Sequence, residues 1–402
     1  MSYRINPLLG AVAPPPIAEA RGWIAGRRFP PDRPLIDLAQ GEPSYPPPAA
    51  LGQHLAGLVG NPETARYTAI EGLSSLRAAL AGHIAEVYGG EVAAEQVCIT
   101  AGCNQAFCLA VMALAGVGDE VVLPTPYYFN HQMWLDMLGV RAVHLPLRAG
   151  RGGVPDPADA ETRLTPRSRA IVLVTPNNPT GAIYPAATIA AFYELARARG
   201  VALVVDETYR DFIPAGGRPH DLFRRPDWPA TFVHLYSFSK IYALTGYRVG
   251  AVACGPELLS GIAKAMDCVA ICAPRIGQQA ALYGVEHLGR WRRRIGAELV
   301  GRAQALRAAF KRNDLAYELI SAGGFFAYLR HPFDGVPAAD VARRLAAEHN
   351  LLVLPGSMFG PGQEAYLRLA FANVGADLMP EIAARLAASQ GAALSARETP
   401  RS

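Results

Sequence analysis

The sequence predicts an α/β protein in which helices cover both faces of a mainly parallel sheet, with a smaller α+β domain after it. Three observations predict this class. Short apolar runs alternate with helical segments from about residue 74 to residue 255, the chain becomes rich in arginine and alanine after Pro274, and proline is abundant in the first 45 residues. Continuous apolar runs of strand length are typical of parallel strands that are buried on both faces.

The first segment, 1–45, contains APPPIAEARG, RRFPPDRP and GEPSYPPP. Such proline-rich sequence favours an extended arm over a core element. We assign this N-terminal arm to the smaller domain. We then expect a large α/β domain over 46–285, a small C-terminal α+β domain over 286–390, and a polar, disordered tail over 391–402.

Six apolar runs of the large domain predict strands. In chain order they are QVCIT, EVVLP, AIVLVT, ALVVDE, FVHLYS and VGAVACG. In the smaller domain, GGFFAYLR, LLVLPG and YLRLAFA predict strands among amphipathic helices. Ligands of open α/β sheets bind beyond the carboxyl ends of the strands, so the residues that follow each run are the candidates for function.

Composition excludes several function classes. The chain of 402 residues is 51% hydrophobic and 18% charged, with a net charge of +4 and no block of Lys and Arg, so nucleic acid is not an expected partner. No apolar run is long enough to span a membrane, and the N-terminus does not resemble a secretory signal. The six cysteines form no CxxC pair, and no HExxH, P-loop or GxGxxG motif occurs. We expect a cytoplasmic protein without a metal.

One lysine is unusual. The chain has 38 Lys plus Arg, but lysine occurs only at 240, 264 and 311, and Lys240 lies between Tyr236, Phe238 and Tyr242. An arginine stays protonated at ordinary pH, whereas a buried lysine can lose its proton and become a nucleophile. The apolar surroundings therefore make Lys240 a candidate for chemistry.

The strand ends carry groups that fit a flat, phosphorylated aromatic aldehyde. Lys240 can form an imine, Asp206 can pair with a protonated ring nitrogen, and Tyr128 can stack on the ring. Phosphate can be held by a helix N-terminus and by hydroxyl and guanidinium donors. These phosphate-binding candidates are Gly102, Cys103, Asn104, Ser237, Ser239 and Arg248, and Tyr209 and Asn178 are candidates for the ring hydroxyl. The ligand that matches the set is pyridoxal phosphate.

Seven motifs extend this match over residues 35 to 385. They are GEP (41–43), YT…EG (67–72), PYY (126–128), NNPTG (177–181), DETY (206–209), SFSK…YRVG (237–250) and YLRLAFA (366–372). In this order, with Lys240 eight residues before Arg248, the chain resembles a class I/II aminotransferase, a fold-type-I pyridoxal-phosphate enzyme. That resemblance implies a seven-stranded sheet in the large domain.

The resemblance also implies a role for each matching residue. Lys240 is expected to bind the cofactor covalently and to move the substrate α-proton, while Asp206 keeps the ring nitrogen protonated. Arg368 is expected to bind the substrate α-carboxylate, with the backbone at Gly41 closing over it. Tyr67 is expected to reach the phosphate of the neighbouring subunit, which implies a homodimer with shared active sites.

The expected reaction is ping-pong transfer of an amino group from an L-α-amino acid to a 2-oxo acid. The expected side-chain pocket is apolar or aromatic, which favours neutral, aromatic or branched donors, and its candidates are Ile17, Tyr45, Tyr67, Tyr128 and Phe359. Arg275 could still supply a second positive charge for the distal carboxylate of an acidic substrate. Two alternatives remain. The first is a pyridoxal-phosphate C–S β-lyase. The second is a pyridoxal-phosphate-binding regulator, which would carry a DNA-binding helix-turn-helix module before this fold, and the arm is too short and proline-rich for that module.

Overall fold

The computed structural model describes residues 3–312 and 314–391. Most of the tail that the sequence predicts to be disordered, 392–402, lies outside the described residues. No helix within the described residues has the length and apolar character needed to cross a bilayer. The cytoplasmic location stays a prediction.

The N-terminal arm packs on the C-terminal part of the chain. It contains two short helices, α1 (Pro7–Gly10) and α2 (Pro16–Gly22), and a two-residue strand, β1 (Ile36–Asp37). This strand pairs in parallel with Leu351–Leu352, which makes the arm part of a second, small sheet. The domain boundaries and the assignment of the arm to the smaller domain stay predictions.

Two helices, α3 (Ala49–Val59) and α4 (Ser74–Tyr88), lead into the central sheet. The seven strands of this sheet are β2 (Val97–Thr100), β3 (Glu120–Pro124), β4 (Arg141–Leu145), β5 (Ser168–Val174), β6 (Ala202–Asp206), β7 (Phe232–Ser237) and β8 (Gly250–Ala253). Their spatial order is β2, β8, β7, β6, β5, β3, β4. Strands β3 to β7 are parallel, and β8 is antiparallel to both of its neighbours. The mainly parallel sheet is confirmed.

Each of the six predicted runs in the large domain overlaps one strand. The seventh strand, β4, was not located from the sequence. It lies at the edge of the sheet, and most of its side chains are only partly buried. The run RAVHL therefore lacks the continuous apolar character by which buried strands are recognised.

Helices cover both faces of the sheet because its side chains alternate between two cores. Ile171 and Leu173 of β5 belong to one core, whereas Ala170 and Val172 belong to the other. Five helices accompany these strands: α5 (Cys103–Leu114), α6 (Phe129–Leu138), α7 (Pro157–Glu161), α8 (Ala186–Arg199) and α9 (Pro256–Ala270). Buried residues of α5, α6 and α9 pack in one core, and buried residues of α8 pack in the other.

The C-terminal part combines helices with short strands. Its elements are α10 (Arg275–His287), α11 (Gly289–Ala309), β9 (Glu318–Gly323), β10 (Phe326–Arg330), α12 (Ala338–His349), β11 (Leu351–Leu352), β12 (Leu354–Pro355), β13 (Tyr366–Leu369) and α13 (Met379–Ser389). Strands β12, β13, β10 and β9 form an antiparallel sheet in that order. The predicted smaller α+β domain is thus present in outline.

Two predicted strands of this region were wrong in detail. The run GGFFAYLR contains β10, but it begins in a turn, because Gly324 has a φ of +54° and reverses the chain after β9, a strand that was not located from the sequence. The run LLVLPG is divided between two sheets, since β11 pairs with β1 and β12 pairs with β13.

Candidate active site

One cavity of about 260 Å³ lies beyond the carboxyl ends of β5, β6 and β7. Its walls combine residues from the strand ends, the start of α5 and the arm. It is lined by Gln40, Gly41, Glu42, Cys103, Asn104, Tyr128, Val174, Asn178, Asp206, Thr208, Tyr209, Ser237, Ser239, Lys240, Thr245 and Arg248. Eleven of these residues are among the fourteen that the sequence predicted for the site.

Lys240 lies in the wall of this cavity, three residues after the end of β7. Its Nζ donates a hydrogen bond to the backbone oxygen of Gly41 at 2.7 Å. Burial lowers the pKa of Lys240 to about 8, with Arg248 and Arg368 acting in the same direction and Glu42 opposing them. A lowered pKa leaves a useful fraction of uncharged amine near neutral pH.

Asp206 is the last residue of β6 and is held by three donors. The Thr208 backbone N–H donates to Oδ1 at 2.9 Å, and His131 Nε2 lies 3.5 Å from Oδ2. The Cys103 thiol lies 3.5 Å from Oδ1. Burial alone would raise the pKa of Asp206, but the hydrogen bonds from His131 and Thr208 outweigh it and lower this pKa. Asp206 is therefore a buried carboxylate that stays ionised.

An anion cradle forms where α5 begins. Gly102 precedes this helix with a φ of +85°, and a Cβ there would lie 2.3 Å from the Arg248 guanidinium. Arg248 donates to the Thr245 carbonyl at 2.9 Å, and Ser237 and Ser239 line the same cavity. Free backbone N–H groups, two hydroxyls and a guanidinium together suit a phosphate.

Arg368, on β13, is buried next to the cavity. Its Nη1 donates to Asn178 Oδ1 at 3.3 Å, its Nη2 donates to the Ala39 carbonyl, and its Nε has no partner among the described residues. The guanidinium carbon lies 4.8 Å from the ring centre of Phe326 and 4.9 Å from that of Phe359. Burial lowers the pKa of Arg368 to about 10, so it remains a cation with an unused donor at neutral pH.

Two tyrosines complete the cavity as neutral phenols. Burial raises the pKa of Tyr128 to about 12 and that of Tyr209 well above its usual value. The Tyr128 hydroxyl lies 3.4 Å from both polar atoms of the Asn104 amide and 3.0 Å from Asn130 Nδ2. Both phenols can therefore donate hydrogen bonds at neutral pH.

Some predicted residues are not part of the cavity lining. Tyr67 is 72% exposed and lies apart from it, with its carbonyl 3.3 Å from Arg275 Nη1. Ile17 and Phe359 pack with the arm in a separate apolar cluster. The Tyr45 hydroxyl donates to the Lys240 backbone oxygen at 2.7 Å, so it fixes the position of the lysine backbone.

Sequence reasoning missed several residues of the site. Thr208 and His131 hold Asp206, and Thr245 orients Arg248, while Gln40, Glu42 and Val174 add to the lining. A signal for Thr208 exists, because a residue two positions after Asp commonly donates its N–H to the carboxylate. Nothing local identifies His131, whose partner is far away in the chain. Within the described ranges, no cluster of His, Cys, Asp or Glu is suited to hold a metal.

The chain is similar in sequence to known proteins. The family model described as "Aminotransferase class I and II" matches residues 33–386. The chain is 31% identical to the aromatic aminotransferase ISS1 of Arabidopsis thaliana, over 92% of each protein. It is 30% identical to the arginine–pyruvate transaminase AruH of Pseudomonas aeruginosa, over 88% of this chain and 89% of that protein.

Solved structures share the fold. A double mutant of aspartate aminotransferase from Thermus thermophilus superposes with a TM-score of 0.87 at 24% identity, covering 96% of this chain and 100% of that one. N-succinyldiaminopimelate aminotransferase from Mycobacterium tuberculosis gives a TM-score of 0.86 at 24% identity, with the same coverage.

Proposed function

Because the chain belongs to the class I and II aminotransferases, which depend on pyridoxal phosphate, we propose that it moves the amino group of an L-α-amino acid to a 2-oxo acid in two half-reactions that share one site. The observation that carries this proposal is the meeting of three groups. An amine with a lowered pKa at Lys240 and a buried carboxylate at Asp206 line one cavity. Arg368, a cation with a free donor among the described residues, lies beside it and contacts the lining residue Asn178 at 3.3 Å.

The residues of the cavity fit pyridoxal phosphate. Gly102 supplies the clearest test, since even a methyl group there would collide with Arg248 and close the anion cradle. The donors of the cradle suit the phosphate, Asp206 suits a protonated ring nitrogen, and Lys240 suits the aldehyde. When bound, the cofactor supplies an aldehyde that captures the amino group and a cationic ring that withdraws electrons from the substrate α-carbon.

Lys240 has two tasks in this proposal. Its uncharged amine would hold the cofactor aldehyde, and the same Nζ, when free, is placed to accept the substrate α-proton. The lowered pKa suits both tasks, because each needs an amine with a lone pair near neutral pH. The hydrogen bond from Nζ to the Gly41 carbonyl, at 2.7 Å, fixes the position of this amine.

Arg368 is placed to bind the α-carboxylate. Its Nε is unused among the described residues, and its Nη2 is held by the Ala39 carbonyl, in the same segment as Gly41. A carboxylate can accept a hydrogen bond from the free Nε and a second, parallel one from Nη2 on the same edge of the guanidinium. Nη1 keeps its bond to Asn178 Oδ1, at 3.3 Å.

Asp206, Tyr209 and Asn178 are placed to control the cofactor ring. The ionised carboxylate of Asp206 keeps a proton on the ring nitrogen, which maintains the electron-withdrawing form. Tyr209 is a neutral phenol and can donate to the ring hydroxyl oxygen. Asn178 directs its Oδ1 to Arg368, which leaves its amide N–H groups for the same oxygen.

We also propose a homodimer with shared active sites. Tyr67 does not line the cavity of its own chain. Tyr67 and Ile271 are both exposed, and their segments meet where the Thr68 N–H donates to Cys272 Sγ at 3.4 Å. Exposed apolar groups that cluster in this way favour a contact between subunits. Tyr67 is then free to reach the phosphate in the partner's cavity.

Hybrid dimers test this sharing. Lys240→Ala and Tyr67→Ala subunits are each impaired as homodimers, but a hybrid contains one site with both residues intact. Mixing the two after reversible dissociation should restore activity towards one quarter of the wild-type level per total subunit. Unchanged activity after mixing, with hybrids verified by native mass spectrometry, would contradict shared sites.

Neutral, aromatic or branched amino acids are the proposed donors. Once Arg368 binds the carboxylate, Arg248 binds the phosphate and Lys240 serves as nucleophile and base, the cavity lining offers no further Lys or Arg for an acidic side chain. Arg275 is turned towards Glu63, 3.8 Å away, and is not part of that lining. An aromatic aminotransferase and an arginine–pyruvate transaminase are similarly close relatives, so identity alone does not select between them.

A half-reaction assay tests the proposed function. Purified holoenzyme is mixed with single amino acids without acceptor, and the absorption band of lysine-bound cofactor is followed. A donor should convert this band and release its 2-oxo acid in a one-to-one ratio with enzyme. Continuous release of pyruvate and ammonia without acceptor would instead reveal β-elimination.

A further inference from the structure

A second cavity lies directly behind the active-site wall. It has a volume of about 190 Å³ and opens between helices α5 and α6. Its lining residues are Asn104, Phe107, Cys108, Asn130, His131, Met133, Trp134 and Met137. We refer to it as the α5–α6 cavity.

This cavity and the active site share a wall residue. Asn104 lines both cavities. Tyr128 lines the active site, and its hydroxyl contacts Asn104 at 3.4 Å and Asn130 at 3.0 Å. Hydrogen bonds of 3.4 Å are weak, so the exposed Asn104 side chain can shift at little cost where the two cavities meet.

The lining is neutral and mainly apolar. None of its eight residues is Asp, Glu, Lys or Arg. The Trp134 indole N–H already donates to the Cys108 carbonyl at 3.2 Å, so this residue presents an apolar ring. A carboxylate, ammonium or guanidinium placed here would lose its hydration without gaining a counter-ion, which is strongly unfavourable.

The size of the cavity suits one aromatic ring. An apolar protein cavity of about 150 Å³ is known to bind benzene, and the α5–α6 cavity is somewhat larger. Met133 and Met137 add polarizable sulfur atoms, which make favourable contacts with aromatic ring edges.

One polar atom of the lining lacks a partner. His131 is 1% exposed, and its Nδ1 has no hydrogen bond among the described residues. Its Nε2 faces Asp206 at 3.5 Å, and because a carboxylate only accepts, Nε2 carries the proton there. In the neutral ring Nδ1 is therefore an acceptor, and it would be satisfied by a hydroxyl or N–H group of an occupant.

We propose that the α5–α6 cavity binds the side chain of an aromatic amino donor, with a phenol or indole ring passing Asn104 and donating a hydrogen bond to His131. This inference rests on the proposed aminotransferase function and specifies its substrate class. The α-carboxylate stays on Arg368, and the neutral lining discriminates against acidic and basic donors.

Variants of Cys108 test the proposal. Cys108→Phe fills the cavity, and Cys108→Ala leaves it open, so the two form a matched pair at a residue outside the catalytic machinery. Half-reactions of each holoenzyme with tyrosine, tryptophan and alanine are compared as kcat/KM. We expect Cys108→Phe to lower the tyrosine-to-alanine ratio at least about tenfold, while Cys108→Ala keeps it within about twofold of wild type.

A second readout does not depend on turnover. The compound 3-(4-hydroxyphenyl)propanoate lacks an amino group, so its binding to holoenzyme can be measured by calorimetry. Its Kd should rise at least about tenfold in Cys108→Phe and change little in Cys108→Ala. Equal Kd values in all three proteins would overturn the proposal, as would an unchanged tyrosine-to-alanine ratio.

A third variant keeps the test decisive if Cys108→Phe does not fold. Met137→Ala enlarges the cavity, and it should raise the tryptophan-to-tyrosine ratio of kcat/KM several-fold. An unchanged ratio would overturn the proposal. Reaction with alanine separates the two levels of inference: if alanine reacts and these ratios do not move, the aminotransferase function stands and the aromatic subsite fails.

Discussion

The Nζ of Lys240 lies 2.7 Å from the backbone oxygen of Gly41, although 199 residues separate them in sequence. The lysine follows a strand of the central sheet, whereas the glycine belongs to a segment that is fixed by β13 and the residues after it. Arg368 and Asn373 both bond to carbonyls of that segment. The contact therefore places the base and the carboxylate-binding arginine against one stretch of backbone.

The pKa of Lys240 predicts how cofactor attachment depends on pH. Since burial lowers this pKa from 10.5 to about 8, the uncharged amine should dominate above about pH 8 and decline about tenfold per pH unit well below it. The rate at which apoenzyme binds pyridoxal phosphate covalently should follow that curve in stopped-flow absorbance. A midpoint near 10.5 would show that the lysine is fully hydrated.

Replacement of Lys240 should remove the covalent bond. In Lys240→Ala we expect no mass increase after borohydride reduction with cofactor, and a loss of turnover of at least about 10³-fold, since nucleophile and base are both absent. Lys264→Ala, at an exposed site on α9, is the matched control and should behave as wild type. A reduced adduct of normal stoichiometry in Lys240→Ala would place the cofactor elsewhere.

Asp206→Asn should keep the fold and lose most of the rate. The Thr208 N–H can still donate to the amide oxygen, but a neutral side chain no longer favours a protonated ring nitrogen. We expect kcat to fall about 10²–10³-fold. Asp156→Asn, at the N-cap of α7, changes the same charge at the surface and should leave kcat unaltered. Similar kcat values for both variants would show that the charge of Asp206 does not contribute to catalysis.

Gly102→Ala should weaken cofactor binding. The new methyl group would lie 2.3 Å from the Arg248 guanidinium, which must then leave the anion cradle. Gly118 has nearly the same φ, +86°, with no atom within 4 Å of an added Cβ, so Gly118→Ala reproduces the backbone strain alone. Equilibrium titration of apoenzyme should show at least a tenfold higher Kd for Gly102→Ala only, roughly the loss of one charged hydrogen bond.

Asn373 should act as a positioning residue for the Gly41 segment. Its Nδ2 donates to the carbonyls of Asp37 and Gln40 at 3.1 and 2.5 Å, and its Oδ1 accepts from the Glu42 N–H at 3.1 Å. Asn373→Ala removes bonds on both sides of Gly41, so we expect KM for the amino donor to rise about tenfold, with a smaller change in kcat.

The control for Asn373 is Asn6→Ala, which removes an exposed helix cap far from the cavity. Both variants should lose about 1–2 kcal/mol of unfolding free energy at most, as measured by urea denaturation. If Asn373→Ala changes stability but leaves KM as in Asn6→Ala, its role is structural only.

Parts of the site were predictable because they follow buried strands. Asp206 and Lys240 come directly after apolar runs, and the glycine and amide that open α5 follow another, so strand ends alone indicate one edge of a sheet. The arm and β13 were harder to place. Arg368 stands in an alternating strand, where the local pattern equally describes a solvent-facing residue, and only the family resemblance marked it.

His131 illustrates what local sequence cannot show. Its ring stacks on Phe107 with centroids 3.8 Å apart, and its Nε2 faces Asp206, the last residue of β6. The half-exposed edge strand β4 and the hairpin between β9 and β10 were missed for a related reason. Partial burial weakens the apolar pattern in the first, and a single turn glycine decides the second.

The sequence by itself determined which chemical groups this protein carries and which strand each one follows, because apolar runs and turn residues are local properties of the chain. Only the tertiary structure decided the distances between those groups, the pKa of the lysine and the second cavity beside Asn104. These depend on which distant segments pack together, and on the water that this packing excludes, so no single stretch of sequence encodes them.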